Sequence, residues 1–298
     1  MFSEDVRIMG SYRSQWQSVP VPYLTFSGAV DMKLSNLIQG NDNLSLAGGI
    51  HFNYDQAGDS QLNLSSFGVT GALKYKINNM NSITFGIQSV ASQRSFSKSN
   101  LQFNNQFDGE LFDPFRDSKE NFPNENRAFL DVNAGLSWMF KKEDNRSHTI
   151  IGVGAYHLTG PIQSFKDDQN SKLPIRFSIY SEGIVQVHPK WDVVIHALGQ
   201  LQSPYKQFLI GGAGRYHISE AKGKEVAIQV GTSFRLGDAI IPTFELHYAS
   251  WKIAVSYDTN ISAFDAATNG NGGIEICAMH TITNVKECVK VIESCPVY

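Results

Sequence analysis

The sequence predicts an all-β fold: a single antiparallel transmembrane β-barrel of about 14 strands with long extracellular loops. Three observations predict it. The first is period-two alternation. In Val226–Phe234 the residues Val226, Ile228, Val230 and Phe234 share one parity, and Ala227, Gln229, Gly231 and Ser233 the other. In Trp251–Tyr257 the residues Trp251, Ile253, Val255 and Tyr257 oppose Lys252, Ala254 and Ser256. Such strands have one bulky apolar face and one small or polar face. This suits lipid outside and a polar lumen inside, and equally one half-buried face of a soluble antiparallel sheet. The second observation is composition: 25 Gly, 19 Phe and 18 % charged residues, below the usual charge content of roughly 25 %. The third is how the connections sort by length, described below.

The first run, Asp5–Trp16, sets Val6, Ile8, Gly10 and Tyr12 against Arg7, Met9, Ser11 and Arg13. A Pro20/Pro22 turn makes it a hairpin with Tyr23–Leu34. Leu44–Tyr54 follows, then a turn at Asp55–Asp59. Ser66–Ile77 and Ser82–Gln93 come next, joined by Asn78–Asn81, whose asparagines tolerate positive φ. The region from Arg94 to Glu125 is long, polar and aperiodic, and loops of that length are usually functional. Strands resume at Arg127–Lys141, Thr149–Leu158, Leu173–Val187, Trp191–Gln202, Gln207–Ile218, Glu225–Leu236, Ile240–Tyr248, Trp251–Tyr257 and Gly273–Ile282.

Alternate connections fall into two sets. One holds Trp16–Pro22, Asp55–Ser60, Arg94–Glu125, Thr159–Lys172, Ser203–Lys206, Gly237–Asp238 and Asp258–Gly272. The other holds Asn36–Asn43, Asn78–Asn81, Lys142–Arg146, His188–Lys190, Ser219–Lys224 and Ala249–Ser250. The long connections lie in the first set, as outer-membrane barrels place them outside. A soluble sandwich gives no reason for that segregation. No domain boundary is visible, so residues 1–283 read as one barrel and 284–298 as a C-terminal periplasmic tail.

Several classes are excluded. A net charge of −3 gives no electrostatic footprint for nucleic acid. No apolar run approaches the ~20 residues of a membrane helix, which leaves a barrel open. No nucleophile elbow, zinc-protease helix or phosphate loop is present, so neither an enzyme nor a cofactor is expected. The eight histidines show no metal-ligand spacing. Met1–Asp5 has no basic or apolar region and is not a signal peptide; export implies a mature fragment or a start downstream of the leader. Cys288 and Cys295 either close a disulfide in an oxidising compartment or stand as two free thiols. Cys277 lies in a strand run and reads as a small packing residue.

Two groups of residues stand out. Arg7, Arg13, Asp31, Lys74, Glu245 and His247 share the polar parity. Inside a barrel they either form an ion-paired plug or line a conduit. Phe103, Phe107, Phe112, Phe115 and Arg116 occupy the longest loop, Phe165 the next, and Asn260, Asn269 and Asn271 the last. Exposed aromatics favour protein contact; packed into the barrel mouth they would instead form a lid.

Several segments, in order along nearly the whole chain, resemble the PorP/SprF family of type IX secretion. They are Tyr12-Arg-Ser-Gln-Trp16, Asp55-Gln-Ala-Gly58, Phe85-Gly-Ile-Gln88, Leu101–Phe107, His157-Leu-Thr-Gly-Pro161, Ser164-Phe165, Lys172-Leu-Pro174, Arg235–Pro242, Ser256–Ser262, Gly272–Ile276 and Cys295-Pro296. The family's signal peptide and Asn-Pro-Ala segment before the first strand have no counterpart here. The resemblance implies a multi-pass outer-membrane barrel of Bacteroidetes-type bacteria. It implies as partners the C-terminal domain of a secreted adhesin or other cargo, further secretion components, peptidoglycan-linked proteins and outer-membrane lipid. It also implies export or anchoring of a surface protein, in some members for gliding motility. It supplies no catalytic residues. A diffusive channel or hydrophobic-solute transporter is the rival expectation.

Overall fold

A computed structural model describes residues 5–16, 23–34, 41, 43–58, 60–98, 101–120, 122–166, 168, 170–221, 223–262 and 270–283. Fourteen antiparallel strands close on themselves: β1 Val6–Gln15, β2 Tyr23–Lys33, β3 Leu44–Ala57, β4 Leu62–Lys76, β5 Asn81–Ser95, β6 Asn126–Lys141, β7 His148–Tyr156, β8 Arg176–His188, β9 Trp191–Gln202, β10 Tyr205–Ser219, β11 Val226–Arg235, β12 Ala239–Tyr248, β13 Trp251–Asn260 and β14 Asn271–Ile282. Each pairs with its sequence neighbours. The seam is β1 against β14, in register from Val6↔Ile282 to Gln15↔Gly273. The shortest strand has 9 residues and the longest 16, enough to cross a bilayer when tilted. The longest loop contains a 3₁₀ turn, Asn104–Gln106.

The alternation seen in sequence becomes two surfaces. Large apolar side chains such as Phe67, Val69, Phe85, Ile195, Val230 and Phe244 face outward and are exposed on the bare protein. A soluble protein would not display so continuous an apolar surface; here it meets acyl chains. Trp138 stacks on Phe140, and Trp191 and Trp251 meet Tyr216 and His280 at tilted angles, all at one rim. That rim carries the short turns and reads as the periplasmic aromatic girdle. The long connections lie at the opposite, extracellular end. Lumenal glycines admit large neighbours: the His51 ring lies where a Cβ on Gly68 would be, and the Tyr180 ring covers Gly152.

Several boundaries differ from the sequence reading, among them the starts of β4, β8 and β10, and three bear on the site. Asp55 and Gln56 are not a turn. They pair on both sides, Thr25↔Asp55 and Asp55↔Leu64, and the Thr25 hydroxyl donates to Asp55 at 2.6 Å. The turn is 58–61, with positive φ at Gly58 and Gln61. Arg94 belongs to β5, opposite Arg127, so the longest loop is 96–125. Asp258 and Asn260 lie in β13 rather than in a loop, on either side of a register shift between Asp258 and Thr259. The tail 284–298, with Cys288 and Cys295, and Asn269 lie outside the described residues.

Candidate functional site: the lumen and the extracellular mouth

The lumen is organised by four buried aspartates, two near each end. Near the periplasmic end, Asp31 of β2 takes the Arg7 guanidinium at 2.8 Å. Asp192, at the start of β9, has no exposed side-chain surface. Arg146 Nε donates to both its carboxylate oxygens at 3.2 Å, and the His217 imidazole lies 2.7 Å away. Arg146 also reaches Glu220 at 2.5 Å and the Pro189 carbonyl at 2.6 Å. The β6–β7 turn is thereby folded into the periplasmic mouth.

At the extracellular end, Asp258 is shared by Arg13 at 2.5 Å and Arg235 at 3.0 Å. Arg235 also reaches Asp238 at 3.0 Å. Asp131 of β6 takes the His157 ring at 2.6 Å and the Thr159 hydroxyl at 3.1 Å. His157 has φ 62°, so the chain leaving β7 bends back toward Asp131. Between the ends, Gln88 donates to Thr70 at 3.0 Å and accepts from Asn133 at 2.8 Å, and Asn133 accepts the His157 amide at 3.0 Å. A buried carboxylate persists only when paired and hydrogen-bonded, which is how all four stand.

Of the residues expected in the lumen, Arg7 joins Asp31, and Arg13 joins Asp258 with Glu275 at 3.9 Å. Glu245 and His247 contact each other at 3.0 Å. Lys74 sits between Ser45 and Thr84 in register. Arg146, Asp192, His217, Asp131 and Arg235 escaped the sequence reading. Asp192, Val194 and His196 share a lumenal parity that could have revealed Asp192. Arg146 lies in a turn, where parity carries no information.

The mouth is dressed by loops 96–125 and 157–175. Their shared core is aromatic. Phe96 packs edge-on against Phe122 and Phe165, at 5.1 and 4.7 Å between centroids, and Phe103 leans on Phe122 at 6.3 Å. Lys166 sits 5.2 Å over the Phe122 ring and 3.1 Å from Glu120. Beyond this core the loop is folded around one side chain. Gln106 accepts the Phe103 amide at 3.0 Å and donates to the carbonyls of Pro114 and Arg116 at 3.2 and 3.3 Å. A cavity of about 1120 Å³ opens there, walled by Lys98, Gln102, Phe103, Gln106, Phe112 and Arg116.

Phe103 and Phe165 thus lie within the loop core, whereas Phe107, Phe112 and Phe115 are presented outward; Phe115 is 95 % exposed. Arg116 reaches the Phe107 carbonyl at 3.5 Å. Asn260 is buried at the end of β13. Asn271 opens β14 and accepts the Tyr257 hydroxyl at 3.2 Å. The loop acids are set by backbone. The amides of Leu111 and Glu110 hold the Asp108 carboxyl below its ordinary pKa, and those of Asn170, with the Ser171 hydroxyl, do the same for Asp168. Among the described residues, no three His, Cys, Asp or Glu side chains gather in a way that could hold a metal ion.

No curated protein matches the sequence. Among solved structures, the toluene transporter TbuX of Ralstonia pickettii is similar over 94 % of this chain and 90 % of its own, at 10 % identity and a TM-score of 0.52. A FadL homologue of Pseudomonas aeruginosa is similar over 94 % and 90 %, at 10 % identity and a TM-score of 0.53. A TodX mutant, described as a monoaromatic hydrocarbon channel, is similar over 95 % and 91 %, at 8 % identity and a TM-score of 0.51. At such identities the likeness is one of fold. The family described as type IX secretion system membrane protein PorP/SprF matches residues 1–278. The chain therefore belongs to the PorP/SprF family of type IX secretion membrane proteins, as an outer-membrane β-barrel.

Proposed function

We propose that this barrel acts without chemistry of its own, binding a secreted protein at the cell surface and helping to export or anchor it. The partner is the C-terminal domain of an adhesin-type cargo, and gliding motility is one setting for such anchoring. It docks on the extracellular loops, with Phe107, Phe112, Phe115 and Arg116 at the centre and Asn271 at the edge. Periplasmic secretion components and peptidoglycan-linked proteins meet the opposite rim. One observation carries the reading: an ordered loop outside the membrane holds aromatic side chains away from its own core, with Phe115 95 % exposed. Exposed aromatics on a preorganised scaffold are how protein interfaces gain affinity at low entropic cost.

Deletion of Gln102–Asn121 tests it. The expected result is release of the surface protein into the medium while the barrel keeps its heat-modifiable mobility. Retention at wild-type level would sink the docking reading. A second reading, a channel for small apolar solutes, draws on a lumenal cavity of about 450 Å³ partly lined by Met9, Ala29, Ala254, Cys277 and Met279. A stable open pore in planar bilayers, with cargo retention unaffected by the deletion, favours it.

A further inference from the structure

The tip of the longest loop combines two properties that the docking reading alone does not explain. Residues 107–117 carry four exposed apolar side chains: Phe115 at 95 %, Leu111 at 72 %, Phe107 at 52 % and Phe112 at 39 % exposure. The same segment holds Asp108, Glu110, Asp113 and Asp117 against the single cation Arg116, a net charge of 1 − 4 = −3.

None of these four carboxylates has an ion-pair partner within 4.0 Å among the described residues, whereas Glu120, three residues on, is paired with Lys166. Three of them instead accept nearby amides. Asp108 takes Glu110 and Leu111 at 2.9 and 2.7 Å, Asp113 takes Phe115 at 2.9 Å, and Asp117 takes Lys119 at 3.0 Å. The Phe107↔Phe112 bridge and the Gln106 bonds close the base of the tip. Three of the acids are therefore fixed in place beside the apolar side chains, and with Arg116 the only cation in the segment the tip keeps its net negative charge.

We propose that the loop tip recognises a partner surface of matching chemistry: an apolar cleft rimmed by lysine or arginine side chains. The inference rests on the docking reading and specifies the partner's chemistry. Phe115 and Leu111 fill the cleft. Asp108, Glu110, Asp113 and Asp117 meet the cationic rim, speeding encounter and rejecting acidic surfaces. An acidic partner would face four like charges; a purely apolar one would leave them desolvated and unpaired.

The test uses the full chain in zwitterionic phosphatidylcholine nanodiscs. The probes are two amphipathic peptides of equal apolar content, one carrying lysines and the other glutamates at the polar positions. The lysine peptide is expected to bind at least ten-fold more tightly, and to weaken several-fold between 50 and 500 mM NaCl as screening grows. The combined variant D108N/E110Q/D113N/D117N keeps the turn-forming carbonyls and is expected to abolish the preference. The L111A/F115A pair is expected to weaken the lysine peptide while leaving its salt dependence. Equal affinity for both peptides, or a preference that survives neutralisation, would overturn the inference. The docking reading is judged separately by the loop deletion in cells. Release on deletion with equal peptide affinities would keep that reading and reject this chemistry; full retention on deletion would reject both.

Discussion

Arg146 and Asp192 form a two-point contact across 46 residues of sequence: Nε of a turn arginine lies 3.2 Å from each oxygen of a carboxylate without exposed surface. The contact ties the β6–β7 turn to the inner wall at β9. Arg146→Ala would release the turn and leave Asp192 with His217 alone. The expected outcome is a rise in planar-bilayer conductance above wild type, with a stability loss of about 1–3 kcal/mol for the weakened buried acceptor. Unchanged conductance would show that this turn does not obstruct the mouth.

Asp258 holds two guanidiniums at once, from β1 and β11. Asp258→Ala removes the carboxylate both arginines share, leaving Arg235 with Asp238 and Arg13 with only the longer contact to Glu275 at 3.9 Å. Breaking a buried pair costs about 3–5 kcal/mol; lumenal water around the partly exposed Arg13 places the expected loss at the lower end. Denaturant unfolding of the refolded barrel measures it, and Arg13→Ala should cost less, because Arg235 remains on Asp258.

Gln106 is the internal tie of the longest loop. Gln106→Ala removes three hydrogen bonds without touching a strand. The tip around Phe107–Phe115 should become several-fold more susceptible to protease, while the melting temperature of the barrel stays within error of wild type. A large fall in that melting temperature would mean that the loop and the barrel unfold as one unit.

The tip should also respond to acid. The Leu111 and Glu110 amides depress the Asp108 carboxyl, so the folded tip prefers the ionised form. That contribution is present above the unfolded pKa and is lost as pH falls through the folded one. Pepsin cleavage at the tip, normalised to an unstructured Phe–Leu peptide, should therefore rise as pH drops below the ordinary carboxylate range. Asp108→Asn should flatten the rise.

The strands were legible because period two survives in a barrel: parity alone placed Arg7, Asp31, Glu245 and His247 on one face, and Glu245 with His247 as a contact. The ends of strands were less legible. At Asp55 and Asp258, residue types that usually mark turns sit in paired strand, because the lumen accepts polar side chains as a soluble core would not. Which carboxylate meets which cation was hidden, since Arg146 and Asp192, or Arg235 and Asp258, lie on elements that are not sequence neighbours and approach only once the intervening strands have paired. Phe103 and Phe165 looked like Phe115 in sequence; only the packing of two loops separates a core ring from a presented one.

The seam between the first and last strands acquires a further property from Arg7 and Arg13. Both lie on the inner face of β1, six residues apart, and each meets an aspartate on another strand. A slip of β1 by a single residue would turn its side chains to the opposite face. Both guanidiniums would then point into acyl chains, and Asp31 would lose Arg7 while Asp258 lost Arg13. Mis-threaded closure is thus penalised at both rims together, so the two arginines work as a key that admits one alignment when the sheet zips shut in the bilayer.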